Sequence, residues 1–185
     1  MPSDWHFRTL GESTEMSAGG DKPKILSSIQ TEKCTYPVYS NGLSDEGLYG
    51  YTDAPKIKDE SVTVSARGTI GFVCLRHIPY VPIVRLVTLI PLRKLMSAKY
   101  LYLYLKQCDI SGTGTTQQQL TVPDFRKTEI LIPSKDVMDQ FTKTVTPLFD
   151  TIWSNQEQNR KLASLRDILL PKLMSGELNV SNLQL

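Results

Sequence analysis

Leu169-Leu170-Pro171-Lys172-Leu173-Met174-Ser175-Gly176-Glu177-Leu178 closes a stretch that reads as one long amphipathic helix. Upstream the apolar positions run Phe141, Val145, Leu148 and Ile152, then Leu162, Leu169 and Leu173, in steps of four and three. That alternation is the seam of a coiled coil. At about 1.5 Å rise per residue, roughly forty residues span about 60 Å, too long for the stripe to be buried on a small domain. The spacing predicts a spacer or an assembly rod.

Two seam positions are filled by Asn155 and Asn159. An asparagine buried in such a seam fixes register and partner number, because its amide must meet another polar group. The alternative is that the helix rolls there and both amides face water. Pro147 removes one backbone donor and predicts a kink or restart near Thr146. Pro171 poses the same problem near the end, where Gly176 supplies a C-terminal stop. The expected division is a body over residues 1–133, a spacer or dimerisation helix over 134–176 and a tail over 177–185.

With 185 residues the chain suits one globular domain and an appendage. The formal net charge of +2 announces no overall basic excess, so a nucleic-acid surface would need local segregation of charge. Cys34, Cys74 and Cys108 are odd in number and far apart, which argues against a disulfide framework and against zinc spacing. The start shows no basic, then apolar, leader, and no apolar run is long enough for a bilayer. These features predict a soluble, cytoplasmic protein.

Along the body, residues 5–10 alternate like a strand and residues 11–23 read as loop. Residues 36–40 form a further strand candidate, and residues 41–55, rich in Gly, Tyr and Asp, read as an ordered surface loop. Val62, Val64 and Ala66 alternate with hydroxyl residues. A bulge or tight reversal at Gly68 and Gly71 separates them from a β segment over 70–75. Residues 83–90 read as one strand, almost wholly apolar except for Arg85. Ser97 is an N-cap for a helix that aligns Tyr100, Leu101, Tyr104 and Leu105 and ends near Cys108. A very polar segment over 111–119 precedes a helical turn over 122–125, a strand over 129–132 and the hand-over at Pro133. The body is therefore expected to be α+β, an irregular mixed sheet without βαβ alternation.

Catalysis finds no footing. His6 and His77 are the two histidines, without a Cys-His or Ser-His-Asp order around them. Asp45-Glu46 and Asp59-Glu60 look like ordinary loop charges rather than a metal-nuclease cluster, and the glycine-containing loop lacks the lysine of a phosphate-binding loop. Neither a metal nor a cofactor is expected.

A set of ordered segments resembles the DNA specificity subunits of type I restriction-modification systems. They are Trp5 and Leu10-Gly11, Val64-Ser65-Ala66-Arg67-Gly68-Thr69-Ile70-Gly71, residues 100–105, 112–120 and 130–133, and the terminal 162–178. Singly each is weak, but their order and spacing cover nearly the whole chain. The resemblance implies a target recognition domain that reads a short half-site in double-stranded DNA. It also implies a helix that spaces two such domains and docks the methyltransferase subunit, in a complex that includes the restriction subunit. The subunit itself would do no chemistry. Family members commonly carry two domains and two helices. One of each suggests either a half-subunit that pairs with itself as a homodimer or part of a longer polypeptide.

Bases are read in the major groove by Arg or Lys on guanine and by Asn or Gln on adenine, with hydroxyl and basic groups on phosphates. The candidates are therefore polar loop residues. Thr113, Thr115, Thr116, Gln117, Gln118 and Gln119 offer hydroxyls and three amides, against the alternative of a merely solvated loop. Arg67 is flanked by glycine and Arg76 ends a strand, which predicts access to solvent, and a structural ion pair is the alternative for Arg67. Asn41, Tyr49 and Tyr51, with Tyr39, form an aromatic and amide cluster suited to base or sugar contact, against the alternative of tyrosines packed at the base of a loop. Lys22, Lys24 and Lys33 read as ordinary exposed lysines before phosphate contacts. A competing hypothesis of another class is a coiled-coil interaction module with no sequence-selective DNA binding. A stand-alone hydrolase is disfavoured for want of paired acid and base.

Overall fold

Thr9 and Glu12 cap each other: the Thr9 hydroxyl accepts from the Glu12 amide at 3.3 Å and the Glu12 carboxylate accepts from the Thr9 amide at 3.0 Å. This reciprocal cap satisfies two helix-end donors and turns the chain sharply. In the computed structural model, which describes residue 2, residues 4–110 and residues 119–178, β1 (His6–Thr9) leads directly into the single-turn α1 (Leu10–Ser13) and then β2 (Thr14–Ala18). The loop expected over 11–23 is thus replaced in its first half by helix and strand. Pairing with a distant strand decides this, not the local polarity of the sequence.

The remaining elements are β3 (Tyr36–Tyr39), a tight turn over Ser44–Gly47, β4 (Leu48–Thr52), β5 (Ser61–Val64), β6 (Val73–Arg76), β7 (Val81–Pro82) and β8 (Val87–Pro91). They are followed by α2 (Ala98–Gln107), α3 (Val122–Phe125), β9 (Glu129–Ile132) and α4 (Lys135–Met174). The described strands form three sheets: β1-β9, β2-β8-β5-β6 and β4-β3-β7. Pairing is antiparallel except between β3 and β7. The fold is α+β with mixed sheets and a long C-terminal helix.

Two further expectations change. Residues 41–55 contain β4, a strand paired with β3, rather than loop throughout. Residues 83–90 do not form one strand, because Val84 and Arg85 adopt positive φ of 52° and 60° and reverse the chain between β7 and β8. A nearly continuous apolar run cannot announce such a reversal when neither central residue is Gly, Asn or Asp. Gly68 and Gly71, with φ of 72° and 81°, make the tight reversal expected between β5 and β6, and the second strand begins only at Val73.

The four-stranded sheet buries Val62, Val64, Val87 and Leu89 at 1% exposure or less, and α2 adds Leu101 and Leu105. Ser97 caps α2 through the Tyr100 amide, as its sequence predicts. Burying each such aliphatic side chain is worth about 1.5–3 kcal/mol, which makes this face a substantial source of stability. Elsewhere the three-stranded sheet meets the Gly19-Gly20 segment. A Cβ on Gly19 would lie 2.8 Å from the backbone N and O of Ile83, a contact only main-chain movement can relieve. Gly19→Ala is therefore expected to cost about 1–3 kcal/mol, read as a fall in melting temperature. An unchanged melt would show that the segment gives freely.

The chain divides into two compact units, residues 1–142 and 143–185. The first takes in the opening turns of α4. Met138 is 5% exposed, Phe141 meets Tyr100 edge-on with centroids 5.6 Å apart, and the Thr142 hydroxyl donates to Ser97 Oγ at 3.0 Å. Phe141, expected at the head of the seam, is half-buried on its own body. Its ring follows α2 because Tyr100 is anchored by donating to the Leu131 carbonyl.

No restart occurs near Thr146, and α4 runs unbroken through Pro147 and Pro171 to Met174. Each proline forfeits one intrahelical bond and the flanking turns hold. Gly176, with φ of 77°, then ends the helix as expected. In the second unit Leu148, Ile152, Leu162 and Leu169 are 60%, 47%, 63% and 43% exposed, and Leu173 is 40% exposed. Val145 is half-buried, and Asn155 and Asn159 are exposed. No helix among the described residues is long and apolar enough to cross a membrane.

Candidate nucleic-acid interface

The hairpin between β5 and β6 presents Arg67. Ser65 donates to the Phe72 carbonyl at 3.0 Å, Gly71 to the Ser65 carbonyl at 3.0 Å and Thr69 to the Arg67 carbonyl at 2.9 Å. Gly71 is required by a close approach, since a Cβ there would meet the Ile110 carbonyl at 2.8 Å. Arg67 is exposed and donates through Nη2 to Gln119 Oε1 at 2.9 Å, while the Leu120 amide donates to the Ala66 carbonyl at 3.1 Å. Two candidates far apart in sequence therefore sit side by side. The bond leaves Arg67 further N–H donors and Gln119 its amide N–H₂, the fork and the amide that suit guanine and adenine edges. Thr113, Thr115, Thr116, Gln117 and Gln118 lie outside the described residues.

Asn41 takes a different part. Its Oδ1 accepts from the Ala66 amide at 2.9 Å and its Nδ2 donates to the Val84 carbonyl, so both ends of the side chain are engaged by backbone. It is a cross-tie between the hairpin and the turn at Val84. Tyr49, 43% exposed, receives Lys22 over its ring at 4.3 Å and accepts a hydrogen bond from the same ammonium at its hydroxyl. Tyr51 is half-buried, with its backbone paired to Ser27. Lys24, Lys33 and His77 are exposed.

The expected solvent access of Arg76 is overturned. This residue is 3% exposed. Its Nε donates to Thr63 Oγ1 at 3.0 Å, its Nη1 to Glu46 Oε2 at 3.2 Å and its Nη2 to the Glu46 carbonyl at 2.6 Å. The guanidinium also lies 3.6 Å from the Tyr39 ring centroid, and Tyr39 meets Tyr80 edge-on at 5.7 Å. The left-handed Asp45 and Glu46, with φ of 47° and 55°, aim the Glu46 carbonyl at this guanidinium. Arg76 is a strut of the fold with no surface to offer a base.

Sequence reasoning passed over Arg85 and Lys56, both exposed beside the Gly19-Gly20 segment. No local signal reveals them, because their position depends on the positive-φ turn and on strand pairing. Among the described residues no group of three or more His, Cys, Asp or Glu is placed to hold a metal ion. Burial pushes the Cys74 thiol up to about 11, so it stays protonated and unreactive at neutral pH.

An exposed arginine-glutamine pair thus lies on an irregular α+β body, in a chain that also carries a forty-residue helix with exposed leucines. Residues 2–164 match the type I restriction modification DNA specificity domain. The specificity subunit of the type I restriction enzyme HindI of Haemophilus influenzae is 30% identical over 178 residues, covering 92% of this chain and 38% of that protein. A Mycoplasma pneumoniae protein named for a type I specificity subunit is 31% identical over 143 residues, covering 77% of this chain and 39% of its own length. Among solved structures, the S subunit of a type I restriction-modification system from M. genitalium shares the fold with a TM-score of 0.71 at 23% identity, covering 92% of this chain and 46% of that one.

This chain belongs to the family of type I restriction-modification specificity subunits. It spans about two fifths of the length of these two curated relatives, 38% and 39%.

Proposed function

We propose that the chain is a non-catalytic reader of one half of a bipartite DNA target, and that its helix joins it to a second such reader. The reading is supported above all by the exposed Arg67–Gln119 pair in a chain of this family. Arg67, Gln119 and the residues of the 111–118 segment take base edges, and Tyr49 with Lys22 contacts the backbone. The exposed apolar positions of α4 pair with a second helix, in a homodimer of this chain, and present a docking face to methyltransferase and restriction subunits. A helix of about 60 Å separates two readers by more than one DNA turn of about 34 Å, which leaves an unread spacer between half-sites. Two identical copies would demand a palindromic pair of half-sites.

Selection from randomised duplexes by the chain assembled with its methyltransferase, followed by mapping of the methylated adenines, tests this reading. A bipartite motif is expected. Arg67→Ala is then expected to relax one base pair of each half-site by about 1–3 kcal/mol, roughly 5- to 150-fold in discrimination. Retention of the same motif with the same stringency would remove Arg67 from the readers, and failure to select any motif would remove the function.

A further inference from the structure

The reversal between β7 and β8 exposes a second arginine. Leu86 donates to the Ile83 carbonyl at 3.1 Å around Val84 and Arg85, whose φ values of 52° and 60° are rare for side chains of their size. The reversal persists because the surrounding backbone holds it. Val84 donates to the Gly20 carbonyl and Arg85 to the Gly19 carbonyl, both at 2.9 Å, and the Val84 carbonyl accepts from Asn41.

Arg85 is exposed, and its guanidinium makes no hydrogen bond or ion pair among the described residues. Lys56, also exposed, has its ammonium 3.9 Å from where a Cβ on Gly20 would stand, and it too lacks an ion pair among the described residues. Asp21 follows Gly20 and is exposed, and it pairs with neither cation among the described residues. Two residues whose cations have no ion pair among the described residues, Arg85 through its backbone and Lys56 through its ammonium, thus adjoin one backbone segment. A phosphate between them would supply the missing charge. The same segment is tied to the base-reading pair, because Asn41 bridges Val84, the neighbour of Arg85, to Ala66, the neighbour of Arg67.

Resting on the DNA-reading function above, we propose that Arg85 and Lys56 form a phosphate clamp. It grips the DNA backbone beside the half-site and sets the register in which Arg67 and Gln119 meet the bases. Phosphate contacts position without reading sequence, so the clamp acts alike on any duplex.

The test measures binding of the full chain assembled with its methyltransferase, by fluorescence anisotropy across a salt series, to a duplex carrying the selected motif and to a scrambled duplex. Arg85→Gln is expected to weaken both by the same factor and to lower the slope of log K against log salt by about 0.9, the loss of one phosphate contact. Lys56→Gln is expected to take a similar step, the double variant about two steps, and Arg85→Lys to restore the slope. Unchanged affinity and slope in Arg85→Gln overturn the clamp. So does a loss confined to the selected motif, which would make Arg85 a base reader. If wild type binds both duplexes without preference yet Arg85→Gln lowers the slope, the clamp stands and the half-site reading falls. If wild type binds neither, both fall.

Discussion

If α4 pairs as proposed, a chain carrying Leu162→Asp and Leu169→Asp is expected to keep a folded body and lose that pairing. The two leucines lie two turns apart on one face of α4 and are 63% and 43% exposed in the single chain. Leu165, Ile168, Leu170 and Met174 extend the apolar surface around them, at 52%, 55%, 50% and 81% exposure. An exposed apolar surface of this density is what the proposed pairing would cover, because water otherwise covers it at a continuing cost. A homodimer buries four such leucines, each about half covered already, which is worth about 3–6 kcal/mol, so their loss weakens association by a factor on the order of 10²–10⁴ before the cost of burying the new carboxylates is added. Light scattering should find a monomer, circular dichroism near-native helix content, and methylation by the assembled enzyme should fall with the pairing. A double variant that still assembles at wild-type concentration would show that α4 has another role.

Arg76→Met is expected to destabilise the body by about 2–4 kcal/mol, roughly 6–12 °C in melting temperature for a unit of this size. The substitution keeps the aliphatic stem but removes three donors. It leaves the Thr63 hydroxyl, in a residue 1% exposed, and the Glu46 carbonyl without the guanidinium, and it strips the cation from the Tyr39 face. The ion pair to Glu46 contributes little of this, because that carboxylate is 55% exposed and water replaces the partner. Arg76→Lys should recover only a fraction, since one ammonium cannot span Thr63, the Glu46 carbonyl and the Glu46 carboxylate together. Circular dichroism melts check both variants. If Arg76→Met melted like wild type and lost DNA binding alone, the residue would return to the reading surface.

The elements legible in the sequence are those whose reasons are local. Ser97 before an apolar helical face, the helical turn over 122–125, the apolar strand over 129–132 closed by Pro133 and the heptad-like spacing of α4 are each marked by residues within or beside them. The elements that went unread are held from elsewhere. The polar Thr14–Ala18 becomes β2 because β8 supplies its hydrogen bonds, from Thr14 against Pro91 to Ala18 against Val87. Phe141 leaves the seam because Tyr100 offers it a ring.

The candidate site divides in the same way. Arg67 and Gln119 have the residue types for base reading, and that much is visible in the sequence; their 2.9 Å contact is not, because a sheet hairpin and a distant segment must first meet. Arg76 and Arg85 show how little a residue type says about place. Arg76 is buried because a left-handed turn brings the Glu46 carbonyl to it, and Arg85 is exposed because a pair of positive φ angles turns it out.

By itself the sequence determined the kind of molecule this is: an α+β body, a helix with an apolar stripe longer than that body can cover, and a family pattern spread along the chain. Those properties rest on periodicity, capping and composition, which act within a few residues. Only the tertiary structure decided which arginine holds the fold and which face solvent, and which amide ties two loops together. Burial and charge pairing are set by contacts between segments whose separation along the chain carries no trace of their approach in space.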